Sequence, residues 1–411
     1  MRLSDGTHLG YCTNIHVGES WAEVRRILYR EIPRVRRRLG RSGPFGVGLR
    51  LAAAAADTLS EDATAFAQLT CILAEHDLYV FTINGFPHGA FHATRVKENV
   101  YRPDWGEPER LRYSNRLADL LVRLLPEGGI GSISTVPGAF KPRAATADAV
   151  DAIAHGLIRH AAHLVRLQRE TGRTVVLALE PEPCCLLETV DETVAFFQDR
   201  LFVAAAVELM VAETGLDAAS AEMALRRHLG VCLDACHAAV EFEDPLTAVD
   251  RLQAAGIPIA KLQLSCGLAV TPVTPERVAA LAAFGDSVYL HQVVERRGKK
   301  NRADLVRFLD LPDALAAFDP TIARGTGAGG IEGGEWRVHF HVPIFRAELP
   351  PFFSTQNFLA ALLRRHRQQP IAPHLEVETY TWDLLPAAFR DDDTPTAIAR
   401  ELAWVLERLG Q

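Results

Sequence analysis

The stretch Thr174-Val-Val-Leu-Ala-Leu-Glu180 is an alternating apolar run that ends in a carboxylate. The same pattern occurs at Val231-Cys-Leu-Asp234 and at His374-Leu-Glu-Val-Glu378. Alternation of this kind predicts β-strands. An acid at the end of a buried strand is costly unless something neutralises its charge, and several such acids together cost far more. The pattern therefore predicts a divalent cation where the strand ends meet.

Short apolar runs alternate with amphipathic helical patterns along almost the whole chain, which predicts a parallel sheet flanked by helices. Eight runs are typical of strands, and eight strands with helices between them favour a closed (β/α)8 TIM barrel, an α/β fold. An open, doubly wound sheet is the alternative. The predicted strands span 10–16, 45–51, 78–85, 131–136, 174–180, 230–234, 259–265 and 373–379.

We expect one TIM-barrel domain over residues 1–411, because insertions extend such barrels to this length. More than a hundred residues separate the seventh strand from the eighth, too many for one crossover, so a large insertion is predicted at 267–345. Residues 337–343 alternate within it and indicate a strand, either of the insertion or of the barrel itself. The loop at 85–105 is rich in histidine, aromatic and charged residues, and we expect it to act as a lid.

Composition narrows the class of protein. Of the 411 residues, 48% are hydrophobic and 23% are charged, which is typical of a soluble globular enzyme. The net charge of −7 counts against a nucleic-acid partner. We find neither a leader-like segment nor about 18 consecutive uncharged apolar residues, so we expect no membrane insertion. Seven cysteines without CxxC spacing favour a reducing compartment, and we expect a cytoplasmic protein.

Side chains alternate along a strand, so parity assigns each residue to the barrel interior or to the helices. Parity places Glu180, Asp234 and Glu378 inside, on strands five, six and eight. On strand seven it places Gln263 inside and Ala260 against the helices. The four inward residues are the predicted metal ligands, and oxygen ligands suit Mg²⁺ or Mn²⁺, whereas an added histidine favours Mn²⁺, Co²⁺ or Zn²⁺. The alternative for any single acid is that it caps the following helix.

Two further inward residues carry opposite charges. Lys261 and Glu376 lie one inward layer below Gln263 and Glu378 on neighbouring strands. A lone buried charge is strongly destabilising, so we predict a buried ion pair beneath the metal site. The alternative is that Lys261 lies near the solvated bottom of the barrel.

Neutral and basic side chains on the opposite wall are expected to bind substrate. His16 ends the first predicted strand, Asn84 ends the third, and Arg95 lies in the loop that follows. Such groups suit the hydroxyls of a polyol or an acidic substituent. Trp105, in the same loop, is either a platform for a sugar ring or a simple loop anchor.

Histidines supply a further set of candidates. His237 follows Asp234 by three residues and is placed to bind either the metal or a substrate hydroxyl. His339 and His341 share one face of their predicted strand. They either add a ligand and contact substrate or form a satisfied core pair.

The spacing of these residues resembles a known superfamily. Glu180-Pro, Asp234-Ala-Cys-His237 and Glu376-Val-Glu378 resemble the xylose-isomerase-like TIM barrels, which include sugar isomerases, sugar epimerases and AP endonucleases. The resemblance implies that Glu180, Asp234 and Glu378 gather around a divalent metal. Gln263 stands where the epimerases usually carry a histidine.

Other motifs resemble the EboE family of metabolite traffic proteins. That resemblance implies a role in the biosynthesis or export of a secondary metabolite, together with partner proteins of the same pathway. The motifs are Tyr11-Cys-Thr-Asn-Ile-His16, Phe81-Thr-Ile-Asn-Gly-Phe-Pro87, Arg95-Val-Lys-Glu98, Tyr101-Arg-Pro-Asp-Trp105, Gly131-Ser-Ile-Ser-Thr-Val-Pro-Gly138 and Glu376-Val-Glu-Thr-Tyr-Thr-Trp382.

The leading hypothesis is a divalent-metal-dependent isomerase or epimerase that acts on a sugar, inosose or cyclitol-type metabolite. Glu180 and Glu378 would remove and return a proton from opposite faces, and the metal would stabilise the enediolate. Two alternatives stay open. One is a metal-dependent phosphodiesterase of the endonuclease branch, which needs more metals and a basic groove. The other is a non-catalytic carrier that hands a metabolite to partners.

Overall fold

The structure is a computed structural model that describes residues 1–91, 97–285, 288–297, 305–319, 334–390 and 392–411. Eight parallel strands alternate with helices around a barrel, so the predicted TIM barrel is confirmed. In chain order the strands are β1 His8–Tyr11, β2 Phe45–Arg50, β3 Leu78–Asn84, β4 Ile130–Thr135, β5 Thr174–Leu179, β6 Leu229–Asp234, β7 Ile259–Leu264, β8 Leu268–Val270, β9 Val293–Arg296, β10 Leu305–Phe308, β11 Glu335–Val338, β12 Glu348–Leu349, β13 Phe352–Ser354 and β14 His374–Val377.

The barrel sheet has the order β1-β14-β7-β6-β5-β4-β3-β2, and β1 meets β2 through a parallel bridge between Cys12 and Gly48. The two strands come close because their contact is built from glycine. A Cβ added to Gly10 would lie 2.7 Å from the carbonyl oxygen of Gly46. A side chain at Gly10 would therefore push apart the seam that closes the barrel.

Helices cover the outside of the barrel, where Leu177, Leu233 and Leu375 of the strands are buried against them. Among the described residues, no helix combines the length and the apolar character needed to span a membrane. The helices are α1 Trp21–Arg26, α2 Ile32–Leu39, α3 Ala53–Glu61, α4 Ala63–Glu75, α5 Pro108–Leu124, α6 Ala147–Thr171, α7 Val190–Phe196, α8 Ala204–Thr214, α9 Ala218–His228, α10 Ala235–Val240, α11 Pro245–Ala254, α12 Pro275–Leu281, α13 Leu311–Ala317, α14 Gln356–Gln368 and α15 Thr394–Leu409.

The first predicted strand, 10–16, is wrong in its second half. β1 ends at Tyr11, and Thr13–Ile15 form a 3₁₀ turn. The ladder to β14 reaches its end here, because the amide of Cys12 donates to the carbonyl oxygen of Val377 at the last residue of β14. The turn brings Asn14 over the carboxyl end of the barrel.

The predicted orientation of Ala260 is also wrong. Ala260 packs with Val176, Ala178 and Cys232, the inward residues of β5 and β6, instead of joining the core under the helices. The cause is a register shift between β6 and β7, where Val231 pairs with Ile259 but Cys232 pairs with Lys261. Strict alternation cannot anticipate the extra residue that this irregularity inserts on β7.

A second sheet of six strands lies between β7 and β14 in the chain, with the order β10-β9-β11-β8-β13-β12 and antiparallel pairing. We call it the added sheet. β11 belongs to it, so the alternative that residues 337–343 form a barrel strand is wrong. β11 ends at Val338, although the amide of His339 still donates to the carbonyl oxygen of Gln292, in register with the pairing of Val338 and Val293. His339 and His341 therefore follow a strand rather than lie within one.

The ion pair predicted beneath the site is confirmed. Lys261 Nζ contacts Glu376 Oε2, and both side chains are completely buried. The ammonium is also 3.3 Å from the hydroxyl of Ser134. The carboxylate of Glu376 occupies the space that a side chain at Gly48 would fill. The absence of a Cβ on β2 is thus what makes room for a charge in the barrel interior.

Candidate functional site

Three carboxylates meet at the carboxyl end of the barrel. Glu180 follows β5 directly, Asp234 ends β6 and Glu378 follows β14 directly. All three are buried, and one oxygen of each lies within 4.8 Å of one oxygen of each of the others. Parallel strands deliver their last inward residues to the same rim, so the convergence follows from the barrel itself. With Gln263 of β7 we call these residues the carboxylate group.

Amide side chains hold Glu378 in place. Asn84 Nδ2 donates to Glu378 Oε1 over 3.1 Å, and Asn14 donates to the same oxygen. Gln263 Nε2 donates to Glu378 Oε2. Both oxygens of this carboxylate thus have neutral donors, which orient it without cancelling its charge.

One carboxylate oxygen of Asp234 accepts hydrogen bonds, and the other accepts none within the described residues. Its Oδ1 accepts from the amide of His237 over 2.9 Å and from the hydroxyl of Ser265 over 2.7 Å. The first bond caps α10, so the capping alternative also holds for this acid. Asp234 Oδ2 is 3.9 Å from His237 Nε2, beyond hydrogen-bond distance.

Burial and mutual repulsion perturb these acids. Burial first, and then the charges of Glu378 and Asp234, raise the pKa of Glu180 well above its ordinary value. Burial, followed by Asp234 and Glu376, raises the pKa of Glu378 to about 7. Protein groups alone therefore leave the cluster with more negative charge than its surroundings compensate.

The residues fit a divalent cation. The buried atoms that have no hydrogen-bond partner within the described ranges include Glu180 Oε2, Asp234 Oδ2, Gln263 Oε1 and His341 Nε2. Buried polar atoms are normally satisfied, and these four are all lone-pair donors. Three oxygens and one nitrogen form a donor set suited to Mg²⁺, Mn²⁺, Co²⁺ or Zn²⁺.

Three histidines lie beside the carboxylate group, and we call His237, His339 and His341 the histidine group. Each uses Nδ1 against a carbonyl oxygen, which can only accept. His237 Nδ1 is 3.0 Å from the oxygen of Pro181, and His339 Nδ1 is 2.7 Å from Gln292 Oε1. His341 Nδ1 contacts the backbone oxygen of Glu378. The Nδ1 atoms therefore carry protons, and in its neutral form each ring has an Nε2 lone pair left over.

Two of these lone pairs face each other. His237 Nε2 and His339 Nε2 are 3.1 Å apart. Burial lowers the pKa of His339 well below its ordinary value and lowers that of His341 to about 4. Neutral rings in this arrangement need a shared proton or a cation between them. Asp234, His237 and His341 also offer ligand atoms within 4.8 Å of one another, as do Glu182, His237 and His339.

A cavity of about 60 Å³ opens above the two groups. This volume holds roughly four water molecules, so a sugar-sized ligand requires the walls to move. The loop 85–105 contributes to the lining, and its role as a lid stays a prediction. Besides the acids and histidines, the lining includes Asn14, Phe86, Phe91, Lys97, Val100, Tyr101, Tyr289, Leu290 and Tyr380.

The remaining sequence candidates lie in different places. His237 and His341 line the cavity, whereas Asn84 is not part of the described lining: its Nδ2 contacts Glu378 and Cys12, and its Oδ1 accepts from the amide of Phe86. His16 is not part of the described lining, and its Nε2 is 3.0 Å from the hydroxyl of Tyr11. Arg95 lies outside the described residues.

Trp105 is an anchor of its loop. It is buried, its indole Nε1 donates to Thr135 Oγ1 over 3.1 Å, and it is not part of the described cavity lining. Phe86, from the same loop, does line the cavity and stacks on Tyr101 with ring centroids 5.8 Å apart.

Sequence reasoning missed a polar group on the far wall, formed by Glu182, Tyr101 and Gln292. The hydroxyl of Tyr101 donates to Glu182 Oε1 over 2.7 Å, and Gln292 Nε2 donates to the same hydroxyl over 2.8 Å. The sequence contains an indication of Glu182, since it follows Glu180 by two residues and so shares its parity. The sequence contains no indication of Gln292, because no pattern in the residues around it links it to the barrel.

Comparisons with known proteins agree with the fold. No protein-family model and no curated protein matches this sequence. A xylose isomerase-like TIM barrel protein from Mycobacterium smegmatis, solved in complex with magnesium, aligns over 100% of this chain and 98% of its own, with a TM-score of 0.52 and 11% identity.

Two epimerases have lower TM-scores. An L-ribulose 3-epimerase aligns over 98% of this chain and 95% of its own, with a TM-score of 0.47 and 15% identity. A 3-keto-D-glucoside 4-epimerase from E. coli aligns over 98% of this chain and 99% of its own, with a TM-score of 0.45 and 13% identity. At such identities the similarity concerns the fold, and function has to be argued from the site.

Proposed function

We propose that the protein is a divalent-metal-dependent isomerase or epimerase acting on a sugar, inosose or cyclitol-type metabolite. The observation that carries this proposal is the convergence of Glu180, Asp234 and Glu378, three buried carboxylates within 4.8 Å, at the mouth of the barrel. Buried acids without compensating cations are unstable, and their perturbed pKa values are typical of functional sites.

The carboxylate group would hold the metal through Glu180, Asp234, Glu378 and the free Oε1 of Gln263. Any of Mg²⁺, Mn²⁺, Co²⁺ or Zn²⁺ is compatible with these donors, and His341 Nε2 favours the last three. When bound, such a cation supplies Lewis-acid polarisation of a substrate carbonyl and stabilises the negative charge that develops on its oxygen.

Glu180 and Glu378 are the proposed proton-transfer residues. In the sheet, β6 and β7 separate their strands, so the two carboxylates approach a ligand from different sides. One of them would take a proton from a carbon next to a carbonyl, and the other would return it on the opposite face. Asn84 and Asn14 keep Glu378 oriented for this role. His237 and His341 would contact substrate hydroxyls from the cavity wall.

Solvent exchange tests the proposal. Metal-loaded protein in deuterated water should exchange a C–H proton in at least one member of a panel of ketoses, aldoses and inososes, read by NMR. Glu180→Gln and Glu378→Gln should each abolish the exchange while the protein keeps its circular dichroism spectrum. Ligand binding without any exchange across the panel would contradict the proposal and favour the non-catalytic carrier.

We also propose that the substrate belongs to a secondary-metabolite biosynthesis or export pathway of the cytoplasm, with partner proteins from that pathway. This part rests only on the motifs that resemble the EboE family. Deleting the gene should remove one metabolite and accumulate its precursor, measured by mass spectrometry. An unchanged metabolite profile would overturn it.

A second candidate function, a metal-dependent phosphodiesterase, is favoured by the histidine group. Lone pairs of His237 and His339 at 3.1 Å offer nitrogen ligands beside the carboxylates, and phosphodiester hydrolysis often uses adjacent metals. The net charge of −7 counts against a nucleic-acid substrate. Hydrolysis of bis(p-nitrophenyl) phosphate or abasic-site DNA that disappears in His339→Ala would establish this candidate, and its absence would remove it.

A further inference from the structure

Glu182 is a buried carboxylate on the cavity wall that the proposed reaction does not use. Its hydrogen-bond partners are neutral: Oε1 accepts from the hydroxyl of Tyr101 over 2.7 Å and lies 3.3 Å from Gln292 Nε2. The nearest histidine nitrogen, His339 Nδ1, is 3.8 Å away and is already engaged with Gln292. Glu182 Oε2 accepts no hydrogen bond within the described residues, although the side chain is only 8% exposed.

The lysine side chains at and below the cavity are already paired with other groups. Within the described lining, Lys97 is the only lysine or arginine, and its ammonium lies 2.5 Å from Asp310 and 2.6 Å from the oxygen of Tyr289. Lys261, below the site, is paired with Glu376. Glu182 is therefore a carboxylate on the cavity wall without a lysine or arginine partner in the described structure. A buried acid of this kind is stabilised when a cation arrives beside it.

The aromatic side chains of the cavity wall restrict the kind of ligand that could bring a cation to Glu182. Tyr101 is fixed between Phe86 and Phe140, with ring centroids 5.8 Å and 5.5 Å away, so the polar group it forms with Glu182 is rigid. Phe91, Tyr289 and Tyr380 pack on one another along another side of the cavity and present an aromatic surface. Once the walls move apart to admit a ligand, a saturated ring would lie with its C–H face on the aromatics, one end at the carboxylate group and a polar substituent at Glu182.

We propose that Glu182 is the subsite for a protonated amine, and that the substrate is an amino-substituted sugar or cyclitol. The inference rests on the proposed function and specifies its substrate class. An ammonium donates a charge-assisted hydrogen bond to Oε2, whereas a hydroxyl in the same place donates only a neutral one. Tyr101 and Gln292 are positioning residues, because they hold Oε1 so that the other oxygen points to the ligand.

Matched ligand pairs test this proposal without turnover. Isothermal titration calorimetry on metal-loaded protein should compare scyllo-inosamine with scyllo-inositol, and glucosamine with both glucose and N-acetylglucosamine. We expect the amines to bind about tenfold or more tightly than their hydroxyl and N-acetyl counterparts, because a charge-assisted bond is roughly twice as strong as a neutral one. Glu182→Gln keeps the shape and the acceptor but loses the charge, so it should abolish the preference.

The controls separate the subsite from the reaction. Tyr101→Phe removes one donor and keeps the charge of Glu182, so the amine preference should survive in that variant. Equal affinities for amine and hydroxyl ligands, or a preference that persists in Glu182→Gln, would overturn the subsite. Proton exchange on neutral inososes or ketoses would then still support the reaction, while an amine preference without any exchange would uphold the subsite and refute the reaction.

Discussion

The carboxylate group is built on barrel strands, whereas most of the histidine group depends on the added sheet. Glu180, Asp234, Gln263 and Glu378 end or follow β5, β6, β7 and β14, and parallel pairing sets their positions. His339 and His341 follow β11 of the added sheet, and Gln292, which orients His339, immediately precedes β9. The barrel thus supplies oxygen atoms with a fixed spacing, and the added sheet supplies nitrogen atoms and a rigid wall.

This difference separates two kinds of constraint. A strand-end residue is placed by a ladder of backbone hydrogen bonds, so its position tolerates changes in neighbouring side chains. His339 and His341 lie beyond the last residue of β11, and side-chain contacts orient their rings, such as the bond from His339 Nδ1 to Gln292. We therefore expect the metal to depend on the carboxylate group and the substrate to depend on the added sheet.

The largest expected effect is loss of the metal. Asp234→Asn removes one charge from the carboxylate group, and elemental analysis should show a stoichiometric divalent metal in the wild type and almost none in the variant. His341→Gln is the matched change in the histidine group and should retain most of the metal, because the four oxygen ligands of the carboxylate group remain. Metal retained in Asp234→Asn, or lost equally in both variants, would break the comparison.

The next largest effect is on the stability of the fold, and it concerns only the ion pair between two barrel strands. Lys261→Met leaves Glu376 charged and unpaired in the interior, so the free energy of unfolding in urea should fall by about 3–5 kcal/mol. Adding Glu376→Leu removes the stranded charge and should restore most of the loss. A single variant as stable as the wild type would show that the ion pair does not constrain the fold.

Glu401 of α15 joins the two regions and makes their junction sensitive to pH. It accepts from Thr379 Oγ1 over 2.6 Å, next to Glu378, and from the amide of Ile344 over 3.1 Å, just past His341. Burial raises the pKa of Glu401 from 4.5 to about 7. The folded protein therefore favours the protonated acid, whose stabilising contribution is complete below pH 4.5 and is lost as the pH rises through 7.

Glu401→Gln removes this dependence while keeping an acceptor for both donors. Between pH 5 and pH 8 the wild type should lose more free energy of unfolding than the variant, by on the order of 3 kcal/mol. Urea denaturation at the two pH values measures the difference. Parallel curves for the two proteins would mean that Glu401 stays ionised in the folded state.

The smallest expected effect is on metal affinity. It comes from changing one residue that orients each group: Ser265 for the carboxylate group and Gln292 for the histidine group. Ser265→Ala removes the 2.7 Å bond to Asp234 Oδ1 and should weaken metal binding about tenfold. Gln292→Leu removes the acceptor of His339 and should leave that affinity unchanged if only the carboxylate group binds metal. Chelator competition measures both. An equal loss in Gln292→Leu would assign metal to the histidines as well.

Sequence patterns predicted the barrel and its acids because strand parity can be read from a few neighbouring residues. In a parallel barrel, parity also determines which residues of different strands meet. Glu180, Asp234 and Glu378 needed only the alternation of their own strands to be placed together. Ala260 was misplaced by a register shift that depends on two strands at once. Gln292 escaped notice because its position depends on contacts between distant segments of the added sheet, which leave no periodic signal in the chain.

The missing side chain at Gly48 has a consequence for the evolution of the chain. Because the carboxylate of Glu376 fills the space beside Gly48, neither position is free to change alone. A larger residue at 48 would displace the acid from Lys261, and the lysine would become the stranded charge. In related sequences, residues 48, 261 and 376 are expected to covary as one triplet, with a side chain at 48 appearing only where the lysine and the glutamate have both been replaced.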